Sequence, residues 1–317
     1  DSIEVNSMYQ KYESSEEFQV TNTPPEIDIP PDAGGNNGNY TGKGIKVGII
    51  ESFYPDKTYL EDYFNKSINL EIYEQNEHNS GMHPTAVALL ILDEAADVRL
   101  YSVPVGEFDN PNQINNIVAG VNIINLSFGV QANTNVHTLS KLFNYITNSN
   151  KITVVASAGN STLHPVIQPS AAPNIISVGS LCEDNTLSYY NSYKDAFTKV
   201  PKPNIIDYDY IKLPNFNNSA TSFAAPRVTA KAARLMEFSY SFRNNPQLLM
   251  SVLQAGAMKD FTTIHTLKYN SNGFEERYGT GKIDYYNSLN ILTNGNYSNF
   301  YISRATSNNT TLMNRTI

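Results

Sequence analysis

A chain of 317 residues with 40% hydrophobic and only 16% charged residues has the apolar content for a sizeable core, which excludes both a disordered protein and a disulfide-stapled miniprotein. Acidic residues outnumber basic ones by 30 to 22 for a formal net charge of -8, and the basic residues are scattered, so nucleic acid and anionic membrane are poor partners. The lone Cys182 excludes an intrachain disulfide, and no apolar run approaches the ~18 residues that span a bilayer.

In chain order, residues 1–40 carry two proline pairs and a glycine-asparagine cluster, which suit an extended arm rather than a helix or central strand. From Lys43 the character changes. GIKVGII is a short, nearly continuous β-branched run, as expected of a strand buried on both faces of a parallel sheet. Alternation follows: a helix over 85–95, a strand over 98–105, a short helix over 112–121 and a strand over 122–129. A helix over 136–150 and strands over 152–159 and 174–181 continue it. Strict alternation means right-handed crossovers, and so a doubly wound α/β fold with a mainly parallel sheet and helices on both faces. Residues 182–218 read as loop, 222–239 as a long helix with Pro226 in its first turns, and 246–258 as a further helix. The body, 41–292, closes near Leu292, and the Asn-, Ser- and Thr-rich tail 293–317 is expected to dock loosely or fray.

In such sheets the functional residues gather beyond the C-terminal ends of the strands. Three predicted strands end in polar or glycine-bearing turns, at Glu51, at Ser127-Phe128-Gly129 and at Ser157-Ala158-Gly159-Asn160. His83 opens the helix after the first strand, and Ser222 sits at the N-terminus of the long helix. Acyl transfer needs such a set: a serine activated by a histidine, a carboxylate that fixes the histidine tautomer, and fixed donors for the oxyanion. Spacing alone is a weak signal, because serines at helix starts are common caps. His78, His137, His164 and His265 have no partner at metal-ligand spacing and read as surface or loop histidines.

The local strings TGKGIKVGIIES, HPTAVALLI, NIINLSFG, ASAGN, HPVIQPSAAPNIISVGS, SATSFAAPRV and YGTGKIDYYNSL occur in one order from about residue 41 to 292. Together they resemble the subtilisin-like serine peptidases, the subtilase family. The asparagine-rich composition without Trp suits a low-GC bacterial source, and the resemblance implies a subtilisin-like fold and a secreted or cell-surface serine endopeptidase. Ser222 would be its nucleophile, His83 its base, Glu51 its acid and Asn160 its side-chain oxyanion donor. Ser127, Phe128, Gly129, Ser157, Ala158 and Gly159 would flank an extended protein or peptide substrate. It also implies an N-terminal prosegment, a monomer and no required cofactor or catalytic metal. Structural calcium is compatible with the loops EDYFNKS and FDNPNQ, though neither has a diagnostic ligand order.

Several positions depart from the family pattern. Glu51 stands where the family has aspartate, Pro84, Thr85, Ala86 and Leu89 change the histidine motif, Ala220 replaces a glycine, and Arg227 replaces a common histidine. Glu51 is the consequential change. Its carboxylate is one methylene longer, while triads tolerate only about 0.5 Å of misplacement. Two readings follow: an active enzyme with an adjusted triad, or a pseudopeptidase that keeps the peptide cleft. The persistence of His83, Asn160, Thr221 and Ser222 favours the first. A glutamate in place of the base is set aside because His83 stands at its own motif.

Overall fold

The computed structural model describes residues 39–73, 79–104, 118, 120–131, 138–194, 201–214, 216–259, 261, 267–271, 273–293, 300–305 and 310–315. The expected arm lies almost entirely outside them, as do most of the short helix at 112–121, the FDNPNQ loop and His78, His137 and His265.

Seven strands make one sheet: β1 (Lys46–Glu51), β2 (Leu70–Ile72), β3 (Arg99–Pro104), β4 (Ile123–Leu126), β5 (Thr153–Ser157), β6 (Ile176–Leu181) and β7 (Ile205–Tyr208). Their spatial order is β2-β3-β1-β4-β5-β6-β7, and every neighbouring pair is parallel. The helices are α1 (Lys57–Phe64), α2 (Met82–Glu94), α3 (Thr138–Ser149), α4 (Thr221–Phe238), α5 (Pro246–Ala255) and α6 (Tyr285–Thr293). The architecture is the α/β sheet read from the alternation, with helices on both faces.

Strand alternation divides the core in two. Val47, Ile49 and Val155 face one way and pack with α2 and α4, while Ile50, Tyr101, Ile124 and Leu126 face the other way and pack on Phe143 and Ile146 of α3. Every residue of α2 from Pro84 to Leu92 is buried. A helix apolar all round has no solvent face to offer, so it lies in the interior. Leu89 and Ala86, departures from the family pattern, are core packing residues there.

The stretch 182–218, expected to be loop, instead holds β7 and an antiparallel hairpin of β8 (Tyr210–Leu213) and β9 (Phe216–Ser219). Aspartates and flanking prolines hide these strands from a local reading. In the fold the buried Asp207 of β7 accepts from Lys231 Nζ at 2.8 Å, and Lys231 also meets Glu94 at 2.7 Å. Burial alone would lower the Lys231 pKa, but the two carboxylates carry it above its ordinary value. Within the tail, β10 (Phe300–Ala305) and β11 (Thr310–Arg315) pair antiparallel.

Register positions the site. Ile50 pairs with Leu126 and Leu126 with Ala156. One residue further on, Glu51, Ser127 and Ser157 therefore fall in a single row at the C-terminal ends of β1, β4 and β5, on the face covered by α2 and α4.

Candidate active site

Two of the expected residues reach this row from helices packed above it. Gly81 is the N-cap of α2, and His83 is its second residue. A Cβ on Gly81 would lie 3.2 Å from Phe53 and 3.3 Å from Pro84, so the chain packs closely at this helix start. The helix start is fixed by Thr85, whose Oγ1 donates to the Gly81 carbonyl at 2.6 Å and accepts from Asp56 N at 2.8 Å. His83 Nδ1 then lies 3.3 Å from Glu51 Oε2. The glutamate is 4% exposed and the histidine 37%, so the carboxylate sits beneath the imidazole. Its other oxygen, Oε1, is buried and has no hydrogen-bond partner among the described residues.

Ser222 is the second residue of α4, whose N-cap Ala220 has φ -166° and ψ 158°. That is extended backbone open to any residue, so the alanine imposes no strain. Pro226 is the sixth helical residue rather than part of the first turn, and its missing N–H frees the Ser222 carbonyl. Ser127 fills the gap: its Oγ donates to Ser222 O at 2.7 Å, and Ser222 Oγ donates back to Ser127 O at 3.0 Å. Behind it, Asn125 Nδ2 donates to Ser127 Oγ and Thr229 Oγ1 donates to Asn125 Oδ1, each at 2.9 Å. Asn125 and Thr229 are site-supporting residues that the sequence reading omitted. A polar residue inside the apolar run NIINL was the available signal; Thr229 left none.

Asn160 is exposed, so hydrogen bonds rather than packing orient it. Its Oδ1 accepts from both Thr221 N and Thr221 Oγ1 at 2.9 Å. With the amide oxygen tied down, Nδ2 is the end left for the cleft. Thr221 Oγ1 accepts in turn from Gly159 N at 3.2 Å. The His83 and Phe223 rings lie 5.3 Å apart, which sets the start of α2 beside the start of α4. The structure thus brings Glu51 to His83, Ser222 to Ser127 and Asn160 to Thr221. Among the described residues it forms no hydrogen bond between His83 and Ser222, whose hydroxyl is turned to Ser127.

The flanking segments differ. Ser157 and Ala158 are buried. Ala158 N donates to Val178 O and its carbonyl accepts from Ile167 N, while Gly159 O accepts from Ser192 N. These backbone groups are spent inside the fold. Phe128 is half-buried against the α3-side core, and Gly129 keeps its backbone groups unpaired among the described residues. Arg227 bonds the Tyr210 carbonyl at 3.1 Å and lies 3.6 Å from Glu94, outside the site. Within EDYFNKS, Glu61 belongs to α1 and accepts from Ile68 N at 3.1 Å. No group of three or more histidine, cysteine or carboxylate side chains among the described residues is placed to hold a metal.

The family model described as the subtilase family, a family of peptidases, matches residues 42–281. The chain belongs to the subtilase family. Membership places this subtilase among the subtilisin-like serine proteases. It is 30% identical over 140 residues to the thermophilic serine proteinase of Bacillus sp. (strain AK1), a match covering 43% of this chain and 32% of that protein. The subtilase thus spans about a third of that relative's length. Among solved structures it is similar to the prenylagaramide maturation protease PagA, with a TM-score of 0.62 and 21% identity over 78% of this chain and 94% of that one. It is similar also to a lanthipeptide protease (TM-score 0.59, 18% identity, 78% and 87% covered) and to a cold adapted subtilisin-like serine proteinase (0.55, 16%, 71% and 86%).

Proposed function

We propose that this subtilase is a serine endopeptidase that cleaves an extended peptide segment through an acyl-enzyme on Ser222. The observation that carries the reading is the convergence of a buried Glu51–His83 contact with an amide, Asn160, whose oxygen is tied down so that its N–H groups serve the cleft. Ser222 Oγ turns from the Ser127 carbonyl and attacks the scissile carbonyl, giving its proton to His83 Nε2. Glu51 holds the Nδ1–H and stabilises the imidazolium. Asn160 Nδ2 and the Ser222 N–H, at the positive end of α4, receive the negative oxygen. His83 then protonates the leaving amine, and water releases the acyl group. Gly129 offers the backbone edge on which the peptide adds as a strand.

The reading takes the protein to act as a secreted or cell-surface bacterial monomer, released from an N-terminal prosegment, without a cofactor and with any calcium structural. Among the described residues, no helix is long and apolar enough to cross a membrane. PagA is a prenylagaramide maturation protease and the other similar enzyme a lanthipeptide protease, and by analogy a precursor peptide is the substrate class proposed.

One geometry favours the second reading, a silent peptide-binding homologue: the Ser222 hydroxyl is directed to Ser127 rather than to His83. A fluorophosphonate probe decides between them. Stoichiometric labelling of the folded protein at Ser222, abolished by Ser222→Ala, together with cleavage of an unstructured protein, supports the enzyme. Absence of both supports the silent homologue.

A further inference from the structure

Glu51 ends in a torsion that no rotamer preference fixes. The terminal torsion of a glutamate is broad, so packing around its stem leaves the carboxylate free to swing about it. Oε2 lies 3.3 Å from His83 Nδ1, and a swing carries it away. A hydrogen bond to the other oxygen would stop the swing. Oε1 is buried, and no described residue supplies that bond.

The sheet places a group with the same need beside it. Ser102 of β3 is fully buried, and its Oγ is likewise without a partner among the described residues. Register gives the relation between the two: Ile49 pairs with Ser102, and Glu51 with Pro104, across the parallel β1–β3 ladder. Paired residues share a face of the sheet, and so do residues two apart on one strand, so Ser102 and Glu51 lie on the same face. They are diagonal neighbours there, a separation within the reach of a long side chain. The other buried side-chain atoms without a partner among the described residues belong to Thr153, Ser180, Arg227 and Gln254, none of them on a strand next to β1.

On the other flank of β1, Ile49 pairs with Asn125, the amide that donates to Ser127 two residues further along β4. Ser102 holds the corresponding place on the Glu51 side. It is a polar residue inside the apolar run RLYSVPV, where the desolvation of a hydroxyl is offset only by a hydrogen bond. Two buried polar atoms on one face that do not bond each other are the setting in which an interior water is held, since such waters bond groups that are otherwise unsatisfied. A bridging water is nearly as good a partner as a direct bond.

Resting on the peptidase reading above, we propose that Ser102 is a positioning residue for the triad acid, joined to Glu51 Oε1 by one buried water. The water donates to Oε1 and accepts from the Ser102 hydroxyl. The carboxylate plane is then held at both oxygens, and Oε2 stays on the His83 Nδ1–H while Nε2 takes and returns the proton of Ser222.

A crystal structure of the wild-type protein that shows its interior waters is expected to place one within about 3.2 Å of both Glu51 Oε1 and Ser102 Oγ. Ser102→Ala, or Ser102→Cys if the alanine variant does not fold, should lower kcat about 3- to 10-fold with KM little changed, a part of the roughly 10²-fold that a displacement of about 1 Å can cost. In a Glu51→Gln background the same substitution should leave kcat unchanged, because the acid it positions is gone, whereas a merely structural role would lower kcat alike in both backgrounds. Absence of the water, a kcat that the folded variant does not move, or an equal loss in both backgrounds overturns the assignment and leaves the peptidase reading standing. If neither variant folds, the wild-type crystal structure decides. Should the wild type cleave nothing while the water is in place, the peptidase reading fails and the link from Ser102 to Glu51 stands; with neither cleavage nor the water, both fall.

Discussion

The two halves of the site are held by different physics. On the serine side every link is a hydrogen bond with a second bond behind it: Thr229 to Asn125, Asn125 to Ser127, Ser127 to and from Ser222, and Thr221 to Asn160. On the acid side a buried carboxylate meets His83 at 3.3 Å, and among the described residues its other oxygen has no hydrogen-bond partner. A buried polar atom left unsatisfied costs about 1–3 kcal/mol, more when it is charged. The half proposed to hold the nucleophile and the oxyanion donor is therefore rigid by redundancy, while the half proposed to hold the acid is positioned by burial and by the packing of α2 on β1. A longer acid is tolerable in the second arrangement and would not be in the first.

The largest expected effect breaks the weaker half. Glu51→Gln should keep the fold and lower kcat by roughly 10³- to 10⁴-fold, the loss that accompanies removal of a triad acid. Steady-state kinetics with a peptide substrate and a matching thermal melt check it; unchanged turnover would mean that another group orients His83. Glu51→Asp sharpens the comparison. If β1 and α2 have settled around the longer side chain, the aspartate falls short of Nδ1 and activity drops, whereas a rise in kcat would show that the glutamate is the misfit.

On the redundant half, the proposed oxyanion role of Asn160 predicts that Asn160→Ala lowers kcat by about 10²- to 10³-fold with little change in KM, since such a donor acts mainly in the transition state. A change confined to KM would make Asn160 a ground-state binding group instead. Smaller again is Ser127→Ala, which leaves the carbonyl freed by Pro226 and the Asn125 amide without a partner. Its cost is about 1–3 kcal/mol for each orphaned group, read as a fall in melting temperature of at least about 4 °C. An unchanged melt would mean that the network behind Ser222 carries no stability.

The smallest effect lies just outside both halves. Asp209, whose carbonyl accepts from Ala220 N at the start of α4, is buried, and its carboxylate accepts from Ser188 Oγ and Tyr190 OH. Burial raises its pKa, against the hydrogen bonds from those hydroxyls. A carboxyl whose folded pKa lies above its unfolded value stabilises the fold while protonated, and that contribution is lost as pH rises through the folded pKa. Asp209→Asn should therefore raise the melting temperature at neutral pH by about 2–4 °C, with the gain shrinking as pH falls through the acid range. A constant gain across that range would assign the effect to something other than ionisation.

Much of this was written in the chain's local patterns. Apolar β-branched runs separated by helical stretches specify a parallel sheet, because only burial on both faces suits such strands, and polar turns at strand ends mark the rim where chemistry collects. Glu51, His83, Asn160 and Ser222 were legible as candidates because each follows or opens a strongly patterned element. Strands β7 to β9 were not, because Asp207 reads as a breaker until Lys231, which it shares with Glu94, arrives from a distant helix to neutralise it. Nor could any local pattern say that Ser127 repairs the carbonyl freed by Pro226, or that Ser102 lies on the same face of the sheet as Glu51. Periodicity records which residues a segment must bury. Which distant atoms meet, and which polar groups go unpaired, is decided only when register and helix packing close the space between them.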